Sequence, residues 1–214
     1  MFWLLVTGTG RCGTGYLSKV LTSCGETCTH EGLFMPRPWG ETRQEVKARL
    51  RWPEWGWRAE SSWLAFPFLH EPELSSLTVV HLVRHPKLVI DSKCRMGFWN
   101  GKHYRTYANW ARSYLPLLDQ WQTIQDKAAY WYIEVNRRVA KRADFFHRVE
   151  DDVRPLLDRL DIQYNESELY TNTRYNSRSG YHPSNVKLVN FSVPLRLELM
   201  QLSKQYGYRW RDDH

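Results

Sequence analysis

The segment LVTGTGRCGTGYL, Leu5 to Leu17, constrains the fold of this chain more than any other. Ahead of it, Phe2 to Val6 is a short apolar run stopped by Thr7-Gly8-Thr9-Gly10, which predicts a buried strand ending in a turn. Behind it, Gly15 to Cys24 sets Leu17, Val20, Leu21 and Cys24 along one face of a helix. A strand, a glycine loop and a helix in that order begin a crossover, the connection that a parallel sheet needs.

The rest of the chain continues the pattern. Leu77 to Val83 is the strongest strand signal, and Pro86 separates it from a helix over Leu88 to Arg95. A long helix is expected over Asp119 to Lys141, a short strand over Ala143 to Val149, a helix over Val153 to Leu160 capped by Asp151 or Asp152, and a last helix over Leu195 to Tyr206. Between Gly32 and Trp63 the chain is broken by Pro36, Pro38, Gly40, Pro53 and Gly56 and crowded with tryptophan; apart from a helix near Thr42 to Leu50 it reads as irregular cover. The expected fold is α/β, a three-layer sandwich with a central parallel sheet. All 214 residues are expected to form a single domain, with 32–63 as an acceptor-side insertion or lid.

A formal charge of +7 favours anionic ligands, but no nucleic-acid motif accompanies it, so no nucleic-acid partner is expected. Cys12, Cys24, Cys28 and Cys94 lack the spacing of a zinc site, even with His30 added, so reduced thiols and no metal are expected. No span of about 20 apolar residues occurs, which predicts a soluble, cytoplasmic protein without stable membrane insertion.

The glycine loop has the spacing of a triphosphate cradle from Gly8 to Gly13. Thr14 stands where the phosphate-reaching lysine belongs, however, and Gly15 where the magnesium-holding hydroxyl belongs. The dinucleotide pattern is also present at Gly8, Gly10 and Gly13, but no acidic residue follows about 20 residues on at the end of a second strand. What remains is a turn that directs backbone amides and a helix N-terminus at an anion, with Arg11 and Thr14 as added donors and no need of a metal. A second anion site is expected in VVHLVRHPKLVIDSK, where Arg84 ends a strand and Ser92 follows on a helix. A guanidinium there calls for a counter-charge, either Asp91 or a ligand.

Together TGTGRCGTGYL and LVRHPKLVIDSK resemble the sulfotransferases that use 3'-phosphoadenosine 5'-phosphosulfate (PAPS), a family whose α/β fold is related to nucleotide kinases, which implies that the sandwich is P-loop nucleotide-kinase-like. The resemblance runs from about Phe2 to Leu160 and is closest in style to the carbohydrate-modifying branches. It implies that Arg11, Cys12, Gly13, Thr14 and Gly15 cradle the 5'-phosphosulfate and that Arg84 and Ser92 bind the 3'-phosphate, with PAP as product. RSGYHP, Arg178 to Pro183, is similar to the loop that closes over the nucleotide, which implies contacts from Arg178 and Tyr181.

Arg11 falls on the position often held by a catalytic lysine. Being always charged, it would act electrostatically rather than as an acid. HEGLF resembles the glutamate-bearing pattern of the carbohydrate branches and implies Glu31 as base, with His30 as orienting partner or rival and Glu60 as third candidate. The implied acceptor is a small molecule or oligosaccharide with a free hydroxyl, against which tryptophan faces could lie. Two other readings stand beside it: a phosphotransferase of kinase-like fold, opposed by the missing lysine, and a non-enzymatic nucleotide- or glycan-binding module.

Overall fold

The computed structural model describes residues 2–34, 43–51, 56–100, 105–171 and 186–210. Along the chain run β1 (Leu4–Gly8), α1 (Thr14–Ser23), β2 (Cys28–His30), α2 (Arg43–Arg51), β3 (Ala59–Ser61), β4 (Thr78–Val83), α3 (Pro86–Arg95) and α4 (Arg105–Tyr114). They are followed by α5 (Ile124–Ala140), β5 (Phe145–Arg148), α6 (Arg154–Arg159) and α7 (Val193–Gln205). The chain divides into two units, one formed by Met1–Val83 with Arg138–Ser177 and the other by Arg84–Arg137 with Arg178–His214.

The first unit holds the whole sheet, five parallel strands in the order β2-β3-β1-β4-β5, flanked by helices. The α/β class and the central parallel sheet agree with the sequence reading. Leu4 to Gly8 pair with Thr78 to Leu82 on one side, and Leu4 to Val6 pair with Ala59 to Ser61 on the other. Central strands of a parallel sheet are buried on both faces, so they carry continuous apolar runs rather than alternation; β1 and most of β4 fit this. On one face Leu4, Val6, Ala59, Val80 and Leu82 join Leu17, Val20 and Leu21 of α1, Leu156 and Leu157 of α6 and Val153 just before it in one buried cluster. Truncating such a leucine to alanine typically costs about 2–5 kcal/mol.

The order of the strands fixes where a ligand would sit. The connection from β1 leads toward β2 at one edge, and that from β4 leads to β5 at the other. Adjacent strands β1 and β4 therefore flank a switch point, where open α/β sheets leave a crevice at the strands' carboxyl ends.

Two strands differ from expectation. β2 and β3 are three residues each, too short for a periodicity to register, and β3 (Ala-Glu-Ser) carries a carboxylate into a wholly buried position. Residues 59–61 thus belong to the middle of the sheet, although they fall in a stretch that reads as irregular. The long helix begins at Ile124 rather than Asp119, after a 3-10 turn over Pro116–Gln120, because the Thr123 hydroxyl accepts from the Asp126 amide at 3.0 Å and caps the new start. The N-cap of α6 is Val153, which has no side-chain cap, rather than Asp151 or Asp152; Asp152, one residue earlier, accepts from Arg154 N through Oδ1 at 3.1 Å. The helix α4 was missed because its buried residues are only Ala108 and Ala111, a faint apolar signal.

In the second unit Trp131 of α5 is fully buried among Phe98, Trp99 and Trp110, with ring centroids 5.9 to 6.5 Å away. Lys93 of α3 is buried with its Nζ 3.8 Å from the Phe98 ring centre, the stem-and-cation packing that aromatic faces favour. Leu195, Leu199 and Leu202 form the inward face of α7, and Arg137 of α5 pairs with Glu198 of α7 at 3.0 Å. Among the described residues no helix is long and apolar enough to cross a membrane.

Candidate functional site

The loop between β1 and α1 has the backbone of an anion cradle. Gly10, Arg11 and Gly13 have φ of 69°, 63° and 103°, and a succession of left-handed residues turns neighbouring amides toward one concavity. Gly13 is the N-cap of α1; it has no side chain with which to cap the first amides, which leaves them to an outside acceptor. A Cβ at Gly13 would also lie 2.4 Å from Val149 Cγ2, so any other residue would force a shift there as well as a strained backbone. Trp63 closes the loop from another side, its ring 3.0 Å from the Cβ position of Gly10.

Within this loop the expected residues divide by exposure. Arg11 and Gly15 are half-buried and Thr14 is buried. Cys12 is fully buried in the apolar cluster that includes α1, so its side chain is part of the core. All four cysteines are free thiols, and among the described residues no group of three or more His, Cys, Asp or Glu could hold a metal ion.

Because every strand is parallel, the loops after β1, β2 and β3 all emerge at the same edge of the sheet. Thr14 Oγ1 lies 3.2 Å from His30 Nε2, and that same nitrogen lies 3.3 Å from Glu31 Oε1. Burial holds the His30 pKa below its ordinary 6.5, against the opposing pull of the Glu31 carboxylate. The structure therefore joins Thr14 of the cradle to Glu31 through the His30 imidazole.

Glu60 plays a different part from its two rivals. It has no exposed surface, whereas the Glu31 and His30 side chains are 18% and 33% exposed. Its carboxylate accepts from the Thr29 hydroxyl and from Leu33 N at 3.3 Å. Burial pushes its pKa up to about 7, with these hydrogen bonds offsetting part of that rise. Out of reach of a solvent-borne acceptor, Glu60 holds both ends of the turn that carries Glu31, a turn strained by φ of 59° at Glu31 itself. Ser61 adds a second brace, its Oγ donating to Thr14 O at 2.8 Å. Thr29 and Ser61 had no signal in the sequence beyond standing next to His30 and Glu60. The tip of the Trp57 indole lies 3.1 Å from the Cβ position of Gly32, which brings one of the tryptophans beside the same turn.

In the second unit, Arg84 directly follows β4, and Tyr132 Oη donates to its carbonyl at 2.9 Å. His85 caps α3, its Nδ1 accepting from Lys87 N at 3.2 Å, and Ser92 sits half-buried two turns along that helix. Asp91 pairs with Arg95 at 2.6 Å. Arg178 and Tyr181 lie outside the described residues. No protein-family model matches the chain, and no curated protein matches it either.

Proposed function

We propose that the protein transfers a sulfuryl group from PAPS to a hydroxyl of a carbohydrate-like acceptor. The observation that carries this reading is the contact of Thr14, in the cradle, with His30 and through it with Glu31. It sets a partly exposed carboxylate beside an anion seat that lacks a triphosphate-reaching lysine. In this reading PAPS supplies the sulfuryl group and leaves as PAP. The cradle amides and Arg11 bind the 5' side and stabilise the charge that grows on the transferred and leaving oxygens. Glu31 takes the acceptor's proton as the acceptor oxygen bonds to sulfur, and His30, whose Nε2 lies 3.3 Å from Glu31 Oε1, fixes the carboxyl group's orientation. Arg84 and Ser92 bind the 3'-phosphate, and Arg178 and Tyr181 complete that side. Trp57 offers a flat apolar face for sugar C–H groups near Glu31.

Isothermal calorimetry with PAP, ADP and ATP tests the donor. PAP is expected to bind tightest, since the second anion site reads a 3'-phosphate that ADP and ATP lack. ATP binding as tightly as PAP would favour the phosphotransferase reading instead.

A further inference from the structure

Helix α7 has two apolar faces where a surface helix needs one. Leu195, Leu199 and Leu202 are buried. Val193, Leu197 and Met200 follow the spacing i, i+4, i+7 on another face and are 56%, 60% and 49% exposed. Val189, 67% exposed in the 3-10 turn just before the helix, stands four residues ahead of Val193. Among the described residues six large hydrophobic side chains are exposed, and these four fall in one stretch; only Leu117 and Phe146 lie elsewhere. Scattered exposed hydrophobics are ordinary, whereas a row of them marks a contact surface.

The polar residues around the row carry one sign of charge. Lys187 is exposed two residues before Val189. Arg196 lies one turn before Met200, and exposed Lys204 lies one turn beyond it, at the end of the same line. The only acidic residue of α7, Glu198, is engaged by Arg137. A second copy of the chain packed on this row would bring the basic groups of both copies together, so the charges oppose self-association. An anionic surface is complementary.

We propose that this face of α7 rests on an anionic lipid surface, with Val189, Val193, Leu197 and Met200 dipping into the headgroup boundary and Lys187, Arg196 and Lys204 reaching the phosphates. A single row of side chains on a helix demands no matching groove from its partner, and long basic side chains beside it can extend to headgroup level. The protein lies on the bilayer, without a spanning segment, and the chain's charge of +7 acts in the same direction.

The test is cosedimentation of the full chain with phosphatidylcholine vesicles and with vesicles that also contain phosphatidylserine. Binding is expected to the second kind alone and to weaken as salt is raised. Leu197→Glu/Met200→Glu, and separately Arg196→Glu/Lys204→Glu, should each weaken it by about tenfold or more with unchanged melting, since each basic contact and each apolar side chain contributes. Absence of binding to the anionic vesicles overturns the proposal, as does binding that both variants retain. Light scattering that shows a wild-type dimer made monomeric by Leu197→Glu/Met200→Glu assigns the face to a second copy instead. Equal binding to soluble polyglutamate and to vesicles points to an acidic protein and likewise overturns it.

Discussion

Replacing Glu60 by glutamine should flatten the dependence of stability on pH, by an amount that follows from its burial. The carboxyl is wholly enclosed in β3, between β2 and β1, and its pKa is pushed from 4.5 to about 7, with burial the largest cause. Below pH 4.5 it holds its proton in both folded and unfolded chains and contributes no penalty. Between 4.5 and 7 the unfolded chain ionises while the folded one keeps its proton, so stability falls as pH rises. Above 7 both forms are ionised and the loss stops growing. The displacement corresponds to about 3 kcal/mol. Glutamine has no proton to lose and retains an oxygen for the Leu33 amide. Urea unfolding of both proteins at a series of pH values should show the variant gaining on the wild type by about 3 kcal/mol across that window. A constant offset that fixed hydrogen-bond changes introduce does not matter, because only the change of the difference with pH is diagnostic. Parallel stability curves would refute the claim that Glu60 is held protonated by its surroundings.

Glu31→Gln should abolish most sulfuryl transfer, measured with labelled PAPS, while PAP affinity by calorimetry stays nearly the same; unchanged turnover removes Glu31 as base. Arg84→Ala should weaken PAP binding by roughly 1.5–3 kcal/mol, the loss of a charge-assisted phosphate contact, with melting temperature as the control for folding. Gly13→Ala forces a left-handed φ of 103° on a residue with a Cβ and drives that atom into Val149, so the protein should lose about 2 kcal/mol or more and melt several degrees lower by differential scanning fluorimetry. A variant as stable as the wild type would mean that the loop can change shape.

The frame was legible because its elements are long or sharply punctuated. β1 and β4 are apolar runs, Pro86 starts α3, and the glycine loop announces the turn into α1. Three-residue strands carry no such signal, and β3 was hidden further by Glu60, since a carboxylate at a fully buried position contradicts the pattern by which strands are recognised. The same short strands decide the site. Thr14 and His30 are sixteen residues apart, and Ser61 is forty-seven from Thr14. Only the parallel pairing of β2, β3 and β1 brings all three to one edge. Sequence alone could propose Glu31, His30 and Glu60 as rival bases but had no means of ranking them by exposure.

That ranking has an electrostatic consequence for the cradle. Glu31, 3.3 Å from His30, brings an acidic side chain close to a seat built for anions, which by itself disfavours an anionic ligand. Arg11 answers this from within the loop, where it is half-buried with a left-handed backbone. Glu60, protonated up to about pH 7, adds little further negative charge below that value and a full one above it. Anion binding at the cradle should therefore weaken as the pH rises through 7. The buried carboxylate thus has two separable effects, bracing the Glu31 turn at any pH and tuning the field at the cradle only when it ionises.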